Sequence, residues 1–196
     1  MKEDDFWTWF KKDLTLIESF TPGDEEILDL ILHNLHRYNE NLFFELGDMQ
    51  KNKELVITAE GNIEHFDSVE RLVNCAPELK DWTFTAFKPP LGFDFITCYE
   101  GVDYDPAQLW FLPLVNPNKP NDLALRVGVP KYCKSMHEHS VAALWIVLDT
   151  GLGEKAATEQ IRFIETTTLP EAPEDEGYIE LKELAEYLAW RRKTIH

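Results

Sequence analysis

Between Glu54 and Pro90 the spacing of apolar and polar positions changes period twice. Glu54–Glu60 reads as a strand and Trp82–Phe87 as another. Between them Glu64–Ala76 places Phe66, Val69, Leu72, Val73 and Ala76 on one helical face. Gly61-Asn62 breaks the first strand, and Asn62 or Asp67 offers a helix cap. Pro77 ends the helix, and Pro89-Pro90 stops the second strand. A comparable pattern recurs later. Leu123, Leu125, Val127 and Val129 alternate on one face of a strand that turns Arg126 the other way. Pro130 to His139 reads as an irregular loop. Ser140 then caps an apolar helix, Val141–Asp149, that ends near Gly151 or Gly153, and Gln160–Thr167 returns as a strand.

The flanks fill in around these two stretches. Asp5 to Phe20 predicts a short aromatic helix or a pair of turns carrying Phe6, Trp7, Trp9, Phe10, Leu14 and Ile17. Thr21-Pro22 predicts the start of a second helix, with Thr21 as cap and Pro22 in the first turn. Its apolar stripe is Ile27, Leu28, Ile31, Leu32, Leu35 and Tyr38. Asn41–Gly47 predicts a strand, followed by a turn at Asn52. Phe93–Tyr99 alternates, with Phe93, Phe95, Thr97 and Tyr99 on one side. Gln108–Val115 predicts a strand, Asn116–Asn121 a loop, and Glu171–Gly177 an acidic turn. Leu181, Leu184, Ala185 and Leu188 line a last helix.

Two similar β-β-α-β units follow, over 41–100 and 108–168, with flanking helices over 1–40 and 178–196. The expected fold is α+β: mainly antiparallel sheet with helices packed on one face, in a single domain spanning 1–196.

Composition narrows the functional classes. Apolar residues make up 44% of 196, which suits a packed core. No apolar run approaches the roughly 18 residues of a membrane span. The first residues, Met1-Lys-Glu-Asp-Asp, do not resemble a secretion signal, and three scattered cysteines, Cys75, Cys98 and Cys133, fit reduced thiols in a cytoplasm. Nineteen cations against 36 carboxylates leave a net charge of −17. That surplus repels phosphate backbones and anionic lipid, so neither nucleic acid nor membrane is the expected partner. The one basic cluster is Arg191-Arg192-Lys193.

The sequence contains no phosphate-binding glycine loop, G-x-G-x-x-G, G-x-S-x-G, H-E-x-x-H or C-x-x-C motif. Asp29, His33, His36 and Glu40 share a helical arc, which also reads as a solvated polar face. Cys133, His137 and His139 form a C-x3-H-x-H run. In an extended loop both histidines point the same way, and these residue types suit zinc or copper, although Lys131 and Lys134 oppose a cation. Glu154, after Leu152-Gly153, reads either as a base at a pocket mouth or as an exposed acid beyond a helix end. Glu60, Lys88 and Arg126 lie at strand ends or on the polar strand face. Arg126 requires solvent or a partner acid such as Glu154, or anchors an anionic ligand.

The stretches ELVITAEGN and HFDSVERLVNCAPELKDWTFTAFKPP, together with LDTGLGE before the last predicted strand, resemble an uncharacterised family of bacterial hypothetical proteins, a domain of unknown function. The similar pieces, between Leu42 and Leu169, are Ala76-Pro77, Trp82, Phe87-Lys88-Pro89 and Leu152-Gly153-Glu154. The resemblance implies a bacterial, cytosolic α+β protein and carries no site residues.

The expected function is a non-enzymatic cytosolic module that binds a protein with a basic surface, as an immunity protein binds a basic toxin. No cofactor is expected. The alternative is a small-molecule-binding protein or enzyme with a pocket around Arg126, His137, His139 and Glu154. A homodimer is also expected to be within reach, because Tyr187 and Trp190 fall off the Leu181/Leu184/Leu188 face and the N-terminal aromatics need cover.

Overall fold

Acidic Glu3, Asp4 and Asp5 in the first turn and Lys11 and Lys12 in the last complement the dipole of helix α1, Glu3–Lys12. The computed structural model describes residues 1–47, 49 and 53–194, so the turn expected at Asn52 lies outside the described residues. It is an α+β fold with seven α-helices among the described residues, and four of its six strand pairings are antiparallel. The chain divides into two compact units, Met1–Lys88 and Pro89–His196.

In the first unit a single turn, α2 (Leu14–Ile17), follows α1, and α3 spans Glu25–Tyr38. The expected start at Thr21-Pro22 is corrected: Asp24 is the cap, its carboxylate accepting from the Ile27 amide. Gly23 at φ +96° turns the chain just ahead of Asp24, so Pro22 stays outside the helix. Strands β1 (Phe43–Leu46) and β2 (Lys53–Thr58) pair antiparallel. Asn62 caps a 3-10 turn that runs into α4, Phe66–Asn74. Strand β3, Trp82–Ala86, then returns parallel to β2.

Phe44, Leu46, Leu55, Ile57, Trp82 and Phe84 meet the helical residues Phe6, Phe10, Ile31, Leu35, Val69 and Leu72 in one core. Its aromatic centre is dense. Trp7 lies edge-on to Phe84 at 4.7 Å and Phe10 edge-on to Trp82 at 5.1 Å, contacts worth about 0.5–1.5 kcal/mol each beyond area burial. The Trp7 indole N–H donates to the Leu72 carbonyl at 2.7 Å, so the polar edge of this buried ring is satisfied.

The second unit opens with a hairpin, β4 (Thr97–Tyr99) and β5 (Val102–Tyr104). Regular strand is shorter than the alternation of Phe93–Tyr99 suggested, yet Phe93 and Phe95 still pack on the core while Ile96 is exposed. A four-stranded sheet follows, in the order β8-β7-β6-β9. It comprises β6 (Trp110–Asn116), β7 (Lys119–Val129), β8 (Phe163–Thr168) and β9 (Ile179–Glu180). The loop expected at Asn116–Asn121 is corrected to a tight turn, with Asn116 paired to Lys119. Pro120 is tolerated inside β7 because β8 pairs only from Ala124 onward, so no ladder bond is lost on that side.

Helix α5 spans His137–Leu152 and begins four residues earlier than expected. Ser140 is therefore not its cap; it is buried one turn in, with its hydroxyl 3.1 Å from that of Tyr104. Gly153, at φ 81° and ψ 147°, adopts a conformation open to glycine and separates α5 from a helix the periodicity did not suggest, α6 (Glu154–Gln160). Helix α7, Leu184–Thr194, closes the unit. Leu123, Leu125, Val127 and Val129 are all buried against Leu144, Val147, Leu148 and Ile164, joined by Leu181, Leu184 and Leu188. Ala185, expected on that buried face, is exposed.

Candidate functional site

Arg126 lies on the sheet face opposite the core, and the parallel register of β7 and β8 sets Glu165 directly beside it. Its Nε donates to Glu165 Oε1 in a short hydrogen bond. That bond, the Glu165 charge and the Tyr178 hydroxyl all raise the guanidinium's proton affinity. The Arg126 side chain keeps 42% of its exposure, so this is a half-solvated surface pair. The expected partner Glu154 is corrected to Glu165.

Glu154 is neither at a pocket mouth nor exposed. It is fully buried as the first residue of α6, behind the Gly153 turn. Lys88 and Glu60 do meet, at 2.9 Å, and Glu45 lies 3.8 Å from the same ammonium. They gather beyond the ends of the parallel strands β2 and β3, where Glu60 and Phe87 take left-handed backbone at φ 51° and 68°.

The geometry behind the C-x3-H-x-H reading changes because His137 and His139 fall in the first turn of α5, where residues two apart diverge by about 200°. His137 Nδ1 lies 2.9 Å from Thr166 Oγ1 and 3.2 Å from the Tyr132 hydroxyl. His139 Nδ1 lies 2.9 Å from Glu100 Oε2, with its ring edge-on to Tyr99 at 4.8 Å. Cys133 Sγ is 3.1 Å from Ser135 Oγ. Among the described residues no three His, Cys, Asp or Glu side chains are grouped to hold a metal ion. On the α3 arc, Asp29 and His33 are exposed, and His36 Nε2 lies 3.1 Å from the Leu42 carbonyl.

Glu100 and His139 form a carboxylate–imidazole pair, the first half of an acid–base relay. Nε2 of His139 is buried without a partner among the described residues. The neighbouring Ser140 hydroxyl is taken up by Tyr104. A cleft of about 350 Å³ opens nearby, floored by Tyr104, Leu109, Val129 and Met136 and edged by Asp103, Asp105 and Lys131. None of Arg126, His137, His139 or Glu154 lines it.

A second concavity, of about 310 Å³, lies on the outer side of α7. Ile179, Glu183, Glu186, Tyr187 and Trp190 line it. Glu183, Glu186, Tyr187 and Trp190 are spaced three, one and three apart, which puts them on one helical face, opposite buried Leu184 and Leu188. Tyr187 and Trp190 were readable as leftover apolar surface. The two glutamates beside them were not singled out, although the same spacing places them there.

Glu18 is a carboxylate that the pattern of the sequence did not flag. It accepts from Lys53 Nζ at 2.8 Å and from the Trp82 indole N–H at 3.0 Å. These bonds, first the one from Lys53, hold its pKa below the usual carboxylate range. No helix among the described residues is long and apolar enough to cross a membrane. No protein-family model, no curated protein and no solved structure matches the chain.

Proposed function

We propose that this chain is a non-enzymatic, cytoplasmic bacterial module that binds a protein with a basic surface, in the manner of an immunity protein. One observation carries the reading. The strand-end and strand-face cations Arg126 and Lys88 are paired within the chain, while a surplus of carboxylates faces outward. From 171 to 186 the acids are Glu171, Glu174, Asp175, Glu176, Glu180, Glu183 and Glu186, against the single cation Lys182, which is itself paired to Glu180. A field of one sign on one stretch raises the encounter rate with an oppositely charged protein and rejects anionic competitors. The pocket reading has less support, because the 350 Å³ cleft is lined by none of its four residues.

The same reading takes the two units as versions of one β-β-α-β plan. Its support is the order of pairing: β1 to β2 antiparallel and then β3 parallel across α4, β6 to β7 antiparallel and then β8 parallel across α5 and α6. The test of the function is capture on the immobilised chain at about 0.01 M and about 1 M salt, where the screening length falls from roughly 30 Å to roughly 3 Å. A basic protein held at low salt and released at high salt is expected. Capture of only neutral or acidic proteins, or of none, sinks the reading.

A further inference from the structure

The concavity beside α7 combines an aromatic platform with acceptors. Trp190 is 59% exposed, far more than a ring of its size usually is, and its centroid sits 5.7 Å from that of Tyr187 at an interplanar angle of 41°. Ile179, on the edge strand β9, adds an apolar wall. The charged groups in the lining are two carboxylates, Glu183 and Glu186, and the neighbouring Lys182, bonded to Glu180, also feels the Glu183 charge. Arg191, next in the chain, donates to the Pro120 carbonyl and, at 3.4 Å, to the Asp122 carbonyl, and its guanidinium also interacts with the Tyr187 hydroxyl at the rim of the groove.

A second copy of the chain is a poor occupant, since it would bring another net charge of −17 to the same face. An arginine is a good one. Its guanidinium stacks on aromatic faces, its planar fork suits a carboxylate, and its stem lies along apolar surface. We propose that the groove formed by Ile179, Glu183, Glu186, Tyr187 and Trp190 is the point at which an arginine of the basic partner docks. This inference rests on the reading of the chain as an acidic protein-binding module and names the anchor within it.

The probe is an acetylated, amidated tetra-arginine peptide, titrated into the isotope-labelled chain at low salt and followed by the Trp190 indole N–H resonance, assigned with Trp190→Phe. A saturable shift of that signal is expected. Trp190→Ala, and separately the pair Glu183→Gln and Glu186→Gln, weaken binding about tenfold, the size of a lost cation–π contact together with its supporting charge. The pair Glu174→Gln and Glu176→Gln removes the same net charge from the neighbouring turn and weakens binding about twofold or less. Melting temperatures close to the parent's confirm that these exposed substitutions leave the fold intact. Equal weakening by both glutamate pairs means diffuse attraction: the groove falls and the acidic module stands. No binding to the parent chain sinks both. A Trp190 signal that moves with chain concentration alone assigns the face to self-association and overturns the proposal.

Discussion

Arg126 and Glu165 stand side by side on the parallel strands β7 and β8, with the guanidinium bonded to the carboxylate on the face away from the core. Neither is buried, and their side chains keep 42% and 32% of their exposure. Such a pair is worth less than a buried one because water screens it. A double-mutant cycle of Arg126→Ala and Glu165→Ala, read by denaturant unfolding, is expected to give a coupling of about 0.5–1 kcal/mol. A coupling near zero would mean that the contact contributes nothing in solution.

Trp7→Phe keeps an aromatic ring but removes the donor to the Leu72 carbonyl and part of the buried ring system. The carbonyl retains a longer bond, 3.2 Å, from the Cys75 amide at the end of α4. The loss is therefore expected to be about 2 kcal/mol, the hydrogen bond and the trimmed ring contributing about 1 kcal/mol each. A loss above about 3 kcal/mol would show that the ring's shape, and not its N–H, is what the core requires.

Glu18 links stability to pH. Its folded-state acidity is strengthened, so the folded chain holds the charged form better than the unfolded chain does. The stabilisation is present above the unfolded carboxylate's titration and is lost as pH falls through the lower, folded value. Glu18→Gln should lower the melting temperature at neutral pH, and the gap to the parent should close in acid. A gap that stays constant from neutral to acidic pH would rule out this linkage.

Gly151 is buried in α5, and a Cβ added there would clash with the ring of Phe93. The helix thus leaves a notch for the ring. Gly151→Ala gains helix propensity but forces Phe93 aside, and a net loss of about 1–3 kcal/mol is expected. Adding Phe93→Leu should recover part of it. No recovery would place the conflict elsewhere than at this ring.

Periodicity alone was enough for the elements whose burial is one-sided. The alternation of Leu123, Leu125, Val127 and Val129 reports a strand with one covered face, and the Phe66, Val69, Leu72 stripe reports a helix with one covered face. The acidic surplus of −17 was equally legible, since charge is a sum over residues and needs no geometry. Local pattern was weaker where a boundary depends on backbone conformation. The start of α3 depends on Gly23 and Asp24, and the early start of α5 converts a supposed extended metal loop into a turn whose histidines diverge.

Pairings between distant residues were decided by the tertiary structure. Whether Arg126 meets Glu154 or Glu165 is set by the register of β8 on β7, and no neighbour in sequence encodes that register. Glu154 is buried because a glycine-only turn at Gly153 starts a short helix into the core, although an acid after two glycines reads as exposed. Hydrophobic spacing records which side of an element avoids water, and that is a local property. The partner each polar group finds on the other side depends on how separate elements are brought together, and only the folded chain carries that information.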